Sequence, residues 1–92
     1  MTAYVYMVRC KNNSLYTGWT TDLGARIKKH VSGTGAKYTH AFKAEQMVYF
    51  EELEDKSAAL KREYAIKQLS KKAKEALILS FESKLLENSN KI

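Results

Sequence analysis

Aromatic and β-branched residues alternate along residues 3–10, through Tyr4-Val5-Tyr6-Met7-Val8, and predict a strand. Lys11-Asn12-Asn13-Ser14 is a polar turn cluster, and Leu15-Tyr16-Thr17-Gly18-Trp19 resumes the strand pattern, so the two runs read as a β-hairpin. Thr21 or Asp22 then caps a helix that carries Leu23, Ala25 and Ile27 to about Val31. Ser32-Gly33-Thr34-Gly35 ends it, because glycine readily takes the left-handed conformation at a helix C-terminus. Residues 36–45 are polar and basic and read as a loop. Gln46 to Leu53, with Met47-Val48-Tyr49-Phe50 inside it, reads as a third, buried strand. Asp55 caps a second helix with apolar positions Ala59, Leu60, Ala65, Ile66 and Leu69. Ser70 breaks the chain and caps a third, marked by Ala73, Ala76, Leu77 and Phe81.

The predicted order is β-β-α-β-α-α. The 92 residues contain no proline, repeat or linker, which fits a single α/β (α+β) domain over residues 1–86 with a frayed tail over 87–92.

Charge sharpens this picture. The net charge of +6 favours a polyanionic partner, nucleic acid being the commonest, although an acidic membrane surface or an acidic protein would also suit it. The excess is local: residues 1–44 hold Arg9, Lys11, Arg26, Lys28, Lys29, Lys37 and Lys43 against Asp22 alone. Residues 45–63 reverse the balance with Glu45, Glu51, Glu52, Glu54, Asp55 and Glu63. The one cysteine, Cys10, permits no internal disulfide and suits a reducing cytoplasmic setting. It reads as a small core residue, without a Cys or His partner at metal spacing. No stretch approaches the length needed to cross a bilayer, so a soluble cytoplasmic protein is expected, with no membrane partner.

Three constellations bear chemistry. Tyr4, Tyr6 and Tyr16 concentrate in the hairpin; tyrosine is an ordinary strand residue, but a phenol beside a guanidinium or a metal gives up its proton more readily. Arg26 and His30 stand four apart on one helix face. Such pairs are usually solvated, yet arginine is the side chain best shaped for a phosphate. Glu63 borders the apolar face of the second helix, where spacing favours a salt bridge over a cation ligand. Trp19 reads as a packing aromatic with base stacking as the alternative, His40 as a solvated loop histidine, and Lys71, Lys72 and Lys74 as the outer face of a helix.

Taken together, Tyr4-Val5-Tyr6, Tyr16-Thr17-Gly18, Thr20, Asp22-Leu23, Arg26, His30 and Glu63 resemble the signature of the GIY-YIG nuclease superfamily. The similarity runs from Tyr4 to about Ile78. It is strongest to small stand-alone bacterial members of UPF0213 type, which share Gly35-Ala36-Lys37-Tyr38-Thr39 and Arg62-Glu63-Tyr64-Ala65-Ile66-Lys67. Tyr4 stands in place of the family's glycine and Thr17 in place of its isoleucine. The resemblance implies a small three-stranded antiparallel sheet flanked by helices. It implies metal-dependent endonuclease hydrolysis of nucleic acid, DNA first, in a repair or recombination setting. Tyr6, Tyr16, Arg26, His30 and Glu63 would be catalytic, with Tyr16 favoured as general base and Tyr6 the alternative. Glu63 would hold one Mg²⁺ or Mn²⁺, and no organic cofactor is implied. Thr20 would touch the phosphate, Gly18 would let the backbone approach substrate, and Lys11, Lys28, Lys29, Lys37 and Lys43 would neutralise flanking phosphates. Binding of that kind is sequence-tolerant and weakens with salt. Two other classes compete: a non-cleaving nucleic-acid-binding module that keeps the fold, and an adaptor whose basic surface meets an acidic protein. Oligomeric state is left open.

Overall fold

A computed structural model describes residues 2–90, the side chains of 37–39 and 86–90 excepted. The chain runs β1 (Ala3–Cys10), β2 (Leu15–Thr20), α1 (Leu23–Ser32), α2 (Lys37–Phe42), β3 (Ala44–Leu53), α3 (Lys56–Lys67) and α4 (Lys71–Asn90). The three strands form one antiparallel sheet in the order β2-β1-β3, so β1 is paired on both edges.

Alternation along β1 divides the core. Ala3, Val5 and Met7 face α3 and α4, where they meet Ala59, Ile66 and Ile78. Tyr6 and Val8 face the other way, against Leu23 and Ile27 of α1. The β1–β3 register slips between Met7 and Val8 and again between Arg9 and Cys10, leaving an extra β3 residue opposite each step. The first bulge lets the consecutive residues Val48 and Tyr49 both enter the α3/α4 side of the core.

The expected caps are in place. Asp22 accepts from the Ala25 amide at 3.1 Å, Asp55 from that of Ala58 at 2.9 Å, and Ser70 Oγ from that of Ala73 at 3.1 Å. Gly33 closes α1 at φ 87°.

Four features differ from the pattern-based reading. Part of the expected loop is the six-residue helix α2, too short and polar for a helical period to show. β3 begins at Ala44 because Cys10 pairs with it across the second bulge. On α3 only Ala59 and Ile66 are fully buried, while Leu60 stays exposed, because the sheet meets a narrow stripe of this helix; Leu69, expected on the same helix, lies exposed beyond its end at Lys67. α4 is helical to Asn90, within the expected tail, and residues 91–92 lie outside those described. It is tied back to the sheet by a bidentate pair, Arg9 to Glu75 at 2.8 and 2.7 Å. Among the described residues no helix is long and apolar enough to cross a membrane.

Candidate active site

The hairpin register creates the first half of the site. Tyr16 lies opposite Val8 and Gly18 opposite Tyr6, so the two tyrosines are diagonal neighbours on the α1 face, their ring centroids 6.5 Å apart. Tyr6 is 1% exposed and Tyr16 half-buried. Gly18 makes room for both. A Cβ there would stand 2.6 Å from Tyr6 Oη and 3.1 Å from Tyr16 Cε2. The expected reason for this glycine was access for substrate; in the structure the neighbours that exclude a side chain are the two phenols. Gly18→Ala should therefore displace the Tyr6 ring and cost about 1–3 kcal/mol, the range for overpacking a filled core. Urea unfolding checks this, and an unchanged midpoint would show that the phenol has another resting place.

Helix α1 supplies the second half. Its N-cap is prepared by Thr20, whose Oγ1 accepts from the Asp22 amide at 3.1 Å and lies 3.3 Å from the Asp22 carbonyl, which occupies the hydroxyl expected to touch a phosphate. One turn further on, Arg26 Nε donates to Tyr6 Oη over a long 3.4 Å and Nη2 donates to the Gly35 carbonyl at 2.9 Å. The guanidinium also reaches the Tyr16 phenol. His30, fully buried, places Nε2 2.6 Å from Tyr6 Oη, and its ring lies 5.1 Å from that of Tyr16. Since Arg26 has only protons to offer, the Tyr6 oxygen accepts from it, and the phenol proton points to His30 Nε2 when the imidazole is neutral.

Electrostatics favour that neutral ring. Burial, helped by the Arg26 charge, pushes His30 down to about 4. Burial also lifts the Tyr6 phenol above its usual value; the Arg26 hydrogen bond pulls it back, and the negative charge of Glu63 is among the influences pushing it up. Glu63 thus acts on the same phenol as Arg26. Its side chain is 17% exposed, with Lys67 Nζ at 3.5 Å one turn along the helix. The lysine stands at the edge of ion pairing, and lone pairs of the carboxylate remain for another partner. Among the described residues no three His, Cys, Asp or Glu gather as a metal cluster. An ion here would have one protein carboxylate, which suits Mg²⁺, since that ion keeps several waters and takes oxygens from substrate phosphates.

The His30 environment has a consequence for stability. The unfolded chain takes up a proton near pH 6.5 and the native ring only near 4, so the unfolded state binds more protons between those values. Stability should be complete above pH 6.5 and fall as the pH drops to about 4, by up to about 3 kcal/mol. His30→Asn should flatten that window, leaving the acid losses of Glu51 and Glu75, whose ion pairs with Arg62 and Arg9 hold them low. Equal pH slopes in denaturant melts of the two proteins would contradict the assignment.

Of the remaining expected contacts, Lys28 and Lys29 lie exposed on α1, and Lys11 and Lys43 meet beyond its C-terminal end. The Lys37 side chain lies outside the described residues. The sequence reading missed two contributors. Gly35 holds Arg26 by its carbonyl and leaves space for His30, whose Nδ1 would stand 2.5 Å from a Cβ at that position. Arg62 joins Glu51 through Nε at 2.9 and 3.0 Å, with Tyr49 also donating to Glu51, and so pins α3 to β3 one residue before Glu63. The Gly-Thr-Gly spacing had offered a signal for the first; a pair so distant in sequence offered none for the second.

Comparison with known proteins places the chain and its fold in a family. Residues 2–76 match the GIY-YIG catalytic domain. A UPF0213 protein of Clostridium perfringens is 52% identical over 77 residues, covering 84% of this chain and 83% of the relative. The solution NMR structure of a UPF0213 protein from Bacillus halodurans is similar at a TM-score of 0.55 and 46% identity, over 85% of this chain and 83% of that one. A protein of E. faecalis, also solved by NMR, is similar at a TM-score of 0.59 and 39% identity, over 88% of its length and 89% of this chain. With its hairpin tyrosines, its helix arginine and a domain match spanning most of its length, the chain belongs to the GIY-YIG family.

Proposed function

We propose that the protein is an endonuclease that hydrolyses phosphodiester bonds in nucleic acid, with DNA the first substrate to test and one Mg²⁺ or Mn²⁺ held by Glu63. What supports this reading is that Tyr6, Tyr16, Arg26 and His30 form one contact cluster, with the Glu63 charge acting on its central phenol.

Arg26 binds the scissile phosphate and stabilises the charge that grows as phosphorus becomes five-coordinate. Tyr16, half-exposed beside the guanidinium, is the general base toward the attacking water. The hydroxide attacks phosphorus, the bond to the 3′ oxygen breaks, and that oxygen leaves as a hydroxyl after protonation by solvent. Tyr6 acts from behind: its oxygen steadies Arg26 while its proton is shared with the neutral His30 ring, which orients the pair. Glu63 would hold a divalent ion, which would supply Lewis-acid stabilisation of the charge that develops during hydrolysis.

The test is incubation of the purified chain with single-stranded, nicked and branched DNA, and with RNA, in Mg²⁺ or Mn²⁺. The expected result is nicks bearing 5′-phosphate and 3′-hydroxyl ends, abolished by chelation. Salt-sensitive binding with every substrate left intact would replace this reading with the non-cleaving module. Recovery of an acidic protein after nuclease treatment, with no nucleic-acid binding, would replace it with the adaptor.

A further inference from the structure

Two of the surface lysines form something more specific than a diffuse basic face. The Lys11 amide donates to the Lys43 carbonyl at 2.9 Å, which brings a residue of the hairpin turn beside the residue that follows α2. Lys43 is held at φ 60°, a left-handed conformation that lysine seldom takes. Together they line a cleft of about 210 Å³ with His40 and Gly33, and its floor is the buried His30. His40 spends Nδ1 on the Gly33 carbonyl at 2.9 Å, leaving Nε2. Among the described residues no carboxylate lines the cleft. A groove sharing Gly33 and His40 continues from it to Gly35, whose carbonyl holds Arg26.

From this continuity we infer a second phosphate subsite: Lys11, Lys43 and His40 bind a phosphate of the cleaved strand one or two nucleotides from the scissile one on Arg26, the intervening sugar lying along Gly33–Gly35. The inference rests on the nuclease reading and adds the register in which the strand lies. Two ammonium groups without a competing acid suit a phosphodiester oxygen pair, and the ring of His30 is the wall between the subsite and the reacting centre.

The experiment is a scan of a short single-stranded DNA in which one phosphate at a time is replaced by an uncharged methylphosphonate. Binding is followed by fluorescence anisotropy without metal, and cleavage with Mn²⁺. One position beyond the scissile phosphate should lose about tenfold in affinity, as expected for one charge-assisted contact. That penalty should vanish in the Lys11→Gln/Lys43→Gln double variant and persist in Lys72→Gln/Lys74→Gln, which removes the same charge elsewhere. A flat scan, or a sensitive position unaffected by the double variant, would overturn the subsite even where cleavage is normal. A cleft made for a free anion would bind inorganic phosphate tightly while the scan stayed flat, which also overturns it. Binding with the expected scan but no cleavage would keep the subsite and defeat the nuclease reading; no binding at all would defeat both.

Discussion

Arg26→Ala is expected to reduce cleavage by at least about a thousandfold, the scale on which enzymes lose a fixed positive charge aimed at a transferring phosphoryl group. The side chain is anchored by Gly35 and touches both phenols, so its loss removes a phosphate ligand and the partner that steadies the tyrosines. The fold should survive, because the residue is half-exposed and a hydrogen bond such as that to Gly35 contributes about 1 kcal/mol. Arg26→Lys should recover little, since one ammonium cannot hold the Gly35 carbonyl, reach a phenol and grip two phosphate oxygens together. An independent signature accompanies the loss. The Arg26 charge helps hold His30 low and its hydrogen bond holds Tyr6 down, so both groups should titrate higher in the alanine variant when followed by NMR. Full-rate cleavage by Arg26→Ala would remove the guanidinium from the mechanism.

How much of this was legible beforehand depends on the range of the forces involved. The hairpin, the caps at Asp22, Asp55 and Ser70, and the glycine stop at Gly33 are set by neighbours a few residues apart, and each was readable as local pattern. The pairing of Tyr6 with Tyr16 follows from strand parity once the turn is placed. The β3 bulges were not readable, because Val48 and Tyr49 share a face only through their pairing with β1. The role of Gly18 was half legible: a close approach was expected, but what approaches is a side chain from 12 positions earlier. His40, read as a solvated loop histidine, is indeed exposed, but it sits on α2, and its bond to Gly33 at the rim of the cleft was not readable from local pattern. Glu63 is the instructive case. Spacing favoured a salt bridge, and Lys67 does stand beside it, yet the carboxylate also acts on Tyr6 from a different element.

That double position makes Glu63→Gln the second large effect. The substitution keeps size and hydrogen-bonding capacity while removing the charge that a hard divalent ion requires. Metal-dependent cleavage should fall by at least about a thousandfold, comparable with the loss of a main electrostatic stabiliser. Stability should move by less than about 0.5 kcal/mol, since the contact to Lys67 is an i,i+4 pair whose lysine is 49% exposed. Two measurements separate a lost ion from a damaged site. Mn²⁺ titration followed by water-proton relaxation should show weaker binding in the variant. The Tyr6 phenol should titrate lower without metal, because the Glu63 charge is one of the influences holding it up. Glu63→Asp keeps the charge but withdraws it by one methylene, so it should retain the Tyr6 effect in part and recover some cleavage at high Mn²⁺. If the glutamine variant instead cut at the wild-type rate with unchanged Mn²⁺ binding, the ion would have to be held elsewhere.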